Sequence, residues 1–267
     1  MITKEFKRKL LERYKNNDEK ILVASVLDKV NRFEKTSKIE NTCFLNLNEF
    51  SIITSILNEL NIKYIQFSLN DILNKKMIFF IPEYIECNNE FFSSYISCLK
   101  IKTKASSKLT HKDYMGSIFS LGVKHEVIGD IFALKESGYV FCEKSISDYI
   151  LYNLYKVGNQ EVEVTNISLD SNELQRLSLN LEEKDYIVAS KRIDVVLAAV
   201  YNLSRSEVKG KVQKGDLFLN DKNEYYLSHS LKEGDIVSFR KCGKFKVGKE
   251  IRKTRSDRIV IKIYKYS

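Results

Sequence analysis

Between Phe92 and Ser168 the hydrophobic period of the chain changes repeatedly, and the order of those changes restricts its topology more than any other feature. "YISCLKIKT" alternates like a half-buried strand, whereas "HKDYMGSIFSLG" spaces its apolar residues at three and four and ends at Gly122. "HEVIGDIFAL" and "GYVFCEK" return to strand character on either side of "KESG". "SISDYILYNLYKV" is again helical, with its stop near Gly158, and "EVEVTNIS" closes the series as a strand. The order is therefore β-α-β-β-α-β. Within it, Gly129-Asp130-Ile131 reads as a tight bend or bulge, with an unassigned binding role open to it.

That order is the split βαβ, ferredoxin-like (RRM-like) plan, also used by RNA-recognition modules. The plan serves many functions, and the aromatic residues on which such modules stack bases are not evident, so this segment could contact protein or RNA. Before it, residues 1–90 read as a helical N-terminal α+β unit. Helices are expected in "KEFKRKLLERYKNN", "EKILVASVLDKVNRFE" and "NEFSIITSILNEL", with Asp18 and Asn48 as caps, and strands in "KYIQFS" and "KMIFFIP". After it, a last domain begins near Leu181. Ser190 is expected to cap a helix with the apolar stripe Ile193, Val196, Leu197 and Val200. Ser204 and Glu207 form a capping box for a second helix, with Val208 and Val212 inward and Gly215 at its stop. "DLFLN", "EYYLS", "DIVSFRK" and "RIVIKIYKY" complete a small sheet. The expected class is α+β, with domains at 1–90, 91–170 and 181–267.

Charge is distributed unevenly over this plan. The formal net charge is +9, yet residues 1–170 nearly balance, with 23 Lys and Arg against 22 Asp and Glu, while the remainder carries 21 against 13. Arg240 to Lys265 holds 11 basic and 2 acidic residues. A basic domain on a neutral body is the electrostatic footprint of a nucleic-acid or anionic-membrane binder, with a solvated Lys-rich face as the alternative. Arg205, Lys209 and Gln213 fall four apart on one ridge of the second helix, flanked by Lys211 and Lys214, and Arg192 projects from the start of the first. Guanidinium groups there can meet phosphate oxygens bidentately.

The residues and their order resemble the S4 RNA-binding domain. Arg192-Ile193-Asp194 with Leu197, Ser204-Arg205 with Val208, Gly215 to Asn220, and Gly234-Asp235-Ile236-Val237 stand where that family's pattern has its anchors, over roughly 50 residues. By this resemblance Arg192, Ser204, Arg205, Lys209 and Lys214 line an RNA face. Asp194 is read as orienting a neighbouring arginine or capping a helix in preference to touching RNA. "SFRKCGKFKV" resembles the segment after the S4 core in the YlmH family of bacterial proteins. With Lys211 beside the helix ridge and the basic residues Arg240, Lys241, Lys244 and Lys246 of that segment, the expected RNA-binding set is complete. Cys242 departs from that pattern, which puts the local packing of its turn in question. "HKDYMGSIFSLGVKHEVIGDI" with "ISDYILYNLYKVG" resembles the same family's RNA-binding domain. The resemblance implies a non-catalytic clamp on the large ribosomal subunit. Its partners would be ribosomal RNA, peptidyl-tRNA and a factor that tails stalled nascent chains in ribosome-associated quality control. The family's link to division-cluster genes is one of association.

Other classes leave weaker traces. Five scattered cysteines, without a C-x-x-C pair, and three scattered histidines predict reduced thiols, no metal site and no cofactor. "KRIDVV" has a superficial likeness to a pseudouridine-synthase motif, but its residues are already assigned to the S4 helix. An S4-domain RNA-modifying enzyme and a cell-division-linked adaptor remain as alternative functions. His111 with Asp113 could suggest a general base, but Thr110 and Asp113 fit a helix N-terminus better. Phe239 and Phe245 read as core, while Tyr264 and Tyr266 stay open between core and base stacking. No run of about 18 apolar residues and no leader-like N-terminus are present, so a cytoplasmic, soluble monomer is expected.

Overall fold

The computed structural model describes residues 2–67, 69, 73–103, 109–134, 136–177 and 182–266. Leu181, the expected start of the last domain, lies outside them, as do Ser68 of "KYIQFS" and Lys135 of "KESG". The fold is α+β, and its contacts divide the chain into two compact units, Met1–Ser178 and Leu179–Ser267.

The first unit opens with α1 (Lys4–Leu11), α2 (Asn17–Thr36), β1 (Glu40–Asn41), α3 (Leu47–Glu59), β2 (Ile65–Phe67) and β3 (Met77–Phe80). Asn16, rather than Asp18, caps α2, its side chain accepting from the Asp18 N–H. Asn46, rather than Asn48, opens α3 in a capping box with Glu49. Both residues expected as caps already lie inside the first helical turn, past the position where a side chain can receive an orphan amide. The small sheet has the antiparallel order β1-β3-β2. Its central strand is buried on both faces, which explains the unbroken apolar run "MIFF". Ile78 and Phe80 join Leu10, Val26, Val30, Ile53 and Leu57 of the helices. Met77 and Phe79 enter a second core with Phe92, Tyr139 and Phe141, so segments 1–90 and 91–170 share packed side chains.

The unit continues through α4 (Asn89–Ser93), β4 (Ile96–Thr103), α5 (His111–Phe119), β5 (Ile128–Ala133), β6 (Ser137–Glu143), α6 (Lys144–Asn153), β7 (Lys156–Val157), β8 (Gln160–Ile167) and α7 (Asn172–Leu177). The sheet order is β5-β6-β4-β8-β7, all antiparallel. α5 and α6 end earlier than expected: Gly122, at φ +80°, sits in the turn beyond α5, and Gly158 turns the β7–β8 hairpin. The pairing of β5 with β6 shifts register between Ile128 and Ile131, so the bulge falls at Gly129-Asp130. A Cβ on Gly129 would stand 2.9 Å from both Phe141 Cβ and Phe44 Cε1, so glycine lets Phe44 close on the sheet. The Asp130 carboxylate accepts from the Lys75 N–H at 2.9 Å, tying the bulge to the segment before β3.

The second unit runs β9 (Glu182–Val188), α8 (Ile193–Tyr201), α9 (Arg205–Gln213), β10 (Leu217–Leu219), β11 (Lys222–Asn223), β12 (Ile236–Phe239), β13 (Gly243–Lys253) and β14 (Ile259–Lys265). Its sheet order is β11-β10-β12-β13-β14-β9. α8 and α9 pack on one face, where Val196, Leu197, Val208 and Val212 meet Leu217, Val237, Phe239, Phe245 and Ile263. Ser190 does not cap α8; Arg192 occupies the cap position, without a side-chain cap bond. Backbone carbonyls do that work instead: the Ile193 N–H donates to His229 O at 2.8 Å, and Asp194 N–H to Leu227 O at 3.4 Å. This use of the loop explains why "EYYLS" is not a strand. Its segment turns, with the His229 N–H on Tyr226 O, to aim carbonyls at the helix.

Candidate nucleic-acid interface

The second helix of the C-terminal unit presents the ridge that its spacing predicts. With Val208 and Val212 buried, Arg205, Lys209 and Gln213 are exposed along α9, and Lys214 is exposed at its end. Ser204 is spent on the helix itself. Its Oγ accepts from the Glu207 N–H at 3.3 Å and donates to Glu207 Oε2 at 2.7 Å, while the same carboxylate oxygen accepts from the Ser204 N–H. The Ser204 hydroxyl, followed by its backbone amide, holds the Glu207 carboxyl below its ordinary range.

Arg192 is pre-oriented rather than loose. Its Nε and Nη2 donate to Asp194 Oδ1 and Oδ2, each at 3.1 Å. Asp194 is buried, whereas the arginine side chain is 49% exposed, so the carboxylate anchors one edge of a guanidinium whose remaining surface meets solvent. The reading of Asp194 as an arginine-orienting residue thus has its geometry.

Of the other expected cations, Lys244 and Lys246 do not share this face. Along β12 and β13 the side chains alternate: Val237, Phe239, Phe245 and Val247 point toward the helices, and Ser238, Lys244 and Lys246 away from them. Arg240, two residues beyond Ser238, lies over the Phe218 ring at 5.6 Å. Lys241 is exposed in the β12–β13 turn at φ +65°. Lys211 stays on the helix side, its Nζ 5.6 Å from the ring of buried Phe239. The ten expected residues therefore divide into a helix-side group, a group of Arg240, Lys244 and Lys246 on the opposite sheet face, and Lys241 in the turn between β12 and β13. Phe239 and Phe245 are core, at 1% and 0% exposure, while Tyr264 and Tyr266 are half-buried. Phe218 was not anticipated; its phase opposite to Leu217 and Leu219 in "DLFLN" was the available signal.

Among the described residues, both faces of the first unit's sheet are covered by side chains. One face carries Leu99, Ile101, Val140 and Cys142 under Tyr114, Ile118 and Ile150 of α5 and α6. The other carries Cys98, Tyr139 and Phe141 under Phe44, Phe67, Phe79, Leu174 and Leu177. Glu173 of α7 binds this second face: its Oε1 accepts from Tyr139 Oη at 2.5 Å and from Lys100 Nζ. The hydrogen bond to Glu173 raises the lysine pKa, and burial is the main cause that raises the tyrosine. The Asp113 carboxylate accepts from Thr110 N and Oγ1, both at 2.7 Å, as a helix N-terminus requires.

Among the described residues, no group of three or more His, Cys, Asp or Glu side chains is placed to hold a metal ion. No helix among them is long and apolar enough to cross a membrane. The thiols of Cys43 and Cys142 are pushed up to about 11 and about 12 by burial, which makes them unreactive at neutral pH.

Residues 89–171 match the family model described as "Putative RNA-binding domain in YlmH". A solved structure, "Cell division protein ylmH from Streptococcus pneumoniae", gives a TM-score of 0.49 at 14% identity, covering 58% of this chain and 93% of that one. Over 241 residues, 90% of this chain and 93% of the relative, the sequence is 23% identical to "Ribosome-associated protein quality control protein P2" of Bacillus subtilis (strain 168).

Proposed function

We propose that this chain is a non-catalytic RNA-binding protein that associates with the large ribosomal subunit and tRNA during quality control of stalled nascent chains. The observation that carries the proposal is the similarity, along 90% of the chain, to a protein named for ribosome-associated quality control. The C-terminal unit is read as an S4 domain, in which α8 and α9 on their sheet present Arg192, Arg205 and Lys209 to structured RNA. Segment 91–170 is read as a ferredoxin-like RNA-binding domain, and residues 1–90 as the α+β unit that packs against it. A domain whose sheet is covered on both faces must meet RNA through its helices and loops, unlike a module that stacks bases on its sheet. Peptidyl-tRNA and a chain-tailing factor are the partners this role requires, and the protein acts as a monomer in the cytoplasm.

Sucrose-gradient sedimentation of the tagged chain at low and high salt, with sequencing of co-purifying RNA, tests this. Migration with free large subunits that carry tRNA, lost as salt releases counterions, is the expected result. A chain that stays at the top of the gradient at both salts and brings down no RNA overturns it.

A further inference from the structure

We propose that the face of the C-terminal sheet turned away from α8 and α9 binds a single-stranded segment of RNA. This rests on the RNA-binding reading above and extends it to a second surface with a different preference. Strand pairing assembles the face from residues far apart in sequence. Phe218 pairs with Ser238, Ser238 with Lys244, and the Tyr266 N–H donates to Lys244 O, so these four form one row across β10, β12, β13 and the end of β14. The two rings that end the row stand three inter-strand spacings, or about 14 Å, apart. Lys246 pairs with Tyr264 in the adjacent row.

Rings and cations alternate on this surface. Arg240 lies over Phe218 and Lys244 over Tyr266, each at 5.6 Å. Gly248 contributes by absence: a Cβ there would stand 2.7 Å from Tyr264 Cε2, so glycine leaves the tyrosine ring laid across β13. The rings of Phe218, Tyr264 and Tyr266 are half-buried, so solvent reaches part of each. Arg240 approaches Asp216 only at 3.8 Å and Lys244 approaches Asp221 only at 3.9 Å, both beyond hydrogen-bond range, which leaves donors for phosphate oxygens. On β14, Lys262 is held by Glu183 of β9, so the basic surface ends at that edge.

A ring that solvent reaches only in part is useful to a base that is not paired, and cations beside it suit the backbone that carries the base. A duplex keeps its bases stacked and offers phosphates alone, which suits the ring-free ridge of α9 instead. The two surfaces therefore sort RNA by strandedness.

The test uses the full chain and two fluorescein-labelled probes, a twelve-nucleotide oligouridine and a long-stemmed RNA hairpin. Wild type should bind both. Replacing two stacking rings, Phe218→Leu with Tyr264→Leu, should weaken oligouridine binding about tenfold or more while hairpin binding, which reports an intact fold, is kept. Arg205→Ala with Lys209→Ala should do the reverse. If the ring variant loses both probes, Lys246→Glu at a half-exposed site decides: selective loss of oligouridine supports the surface, and equal or no loss overturns it. Hairpin binding by a wild-type chain that ignores oligouridine overturns the surface and leaves the ribosomal reading standing. Ring-dependent oligouridine binding by a chain that never sediments with large subunits supports the surface and removes that reading.

Discussion

Asp194 grips Arg192 side-on, with both carboxylate oxygens 3.1 Å from guanidinium nitrogens two residues upstream. An acidic residue beside an RNA-facing arginine would ordinarily lower affinity for a polyanion. Here it fixes the plane of the guanidinium, which on the proposed RNA face would lower the entropy cost of ordering it on phosphate.

Asp194→Asn should therefore weaken binding of a structured RNA several-fold, although it makes the domain more positive. A purely electrostatic role predicts the opposite sign. Fluorescence anisotropy against an RNA hairpin decides between them, with thermal melting to separate the expected loss of about 1 kcal/mol, discounted because the arginine is half-exposed. Arg192→Ala is the poorer probe, since it leaves a buried carboxylate without its guanidinium partner.

Ser204, expected among the RNA-binding residues, is occupied by the α9 cap. Ser204→Ala should cost about 1 kcal/mol of stability and Ser204→Thr much less. After correction for the folded fraction, hairpin affinity should be equal in both. A loss of affinity in the alanine variant beyond its loss of folding would return the hydroxyl to the interface.

The same caps set a pH response. Glu207 and Asp113 are both held below their ordinary pKa, chiefly by hydrogen bonds from the Ser204 and Thr110 hydroxyls. A depressed folded pKa means the unfolded chain binds the proton first. The stabilisation is thus complete above the unfolded value of about 4 and is lost as pH falls through the folded one. Urea midpoints measured from pH 6 to pH 3 should decline less steeply below pH 4 in Glu207→Gln than in wild type. Parallel curves would exclude the cap as a contributor.

Much of the C-terminal unit was legible because its signals are local. The helix stripe from Ile193 to Val200, the Ser204–Glu207 box and the turn at Gly215 each reside within a few residues. What escaped depends on distant partners. β9, "EEKDYIV", is too charged to read as a strand, and it becomes one by pairing Glu183 with Tyr264 and Asp185 with Lys262 on β14. The N-terminus of α8 takes its carbonyls from a loop more than thirty residues away, which no cap motif could reveal. The grouping of Arg240, Lys244 and Lys246 away from Arg205 follows from strand phase, readable only once the strand boundaries were known.

The covered sheet of the first unit yields a prediction about what does not bind. Tyr139, on β6, would be a stacking candidate if its face were open, but its hydroxyl donates to Glu173 beneath α7. Tyr139→Phe keeps the ring and removes that bond together with the one its hydroxyl accepts from Ser137 Oγ, so it should destabilise the chain by about 1–3 kcal/mol without changing RNA affinity. Combining it with Glu173→Gln should cost less than the sum of the two, since both break the same contact. Altered RNA binding in a fully folded Tyr139→Phe chain would mean that α7 lifts away from the sheet.

Arg205 and Lys209 are exposed on α9, and their side chains take no part in the Ser204–Glu207 cap or the core, which makes them the cleanest probes of the helix-side surface. Substituting both with alanine should leave stability within about 0.5 kcal/mol. If each neutralises one duplex phosphate, the slope of log affinity against log salt should become shallower by roughly 0.9 per residue removed, hence about 1.8 for the pair. A titration series on hairpin RNA from low to moderate salt measures that slope directly. Affinity lost with an unchanged slope would mean that the side chains act through shape or hydrogen bonding to bases, and unchanged affinity would remove α9 from the interface. The slope separates these outcomes because counterion release counts the charges that meet phosphate, whatever their separate energies.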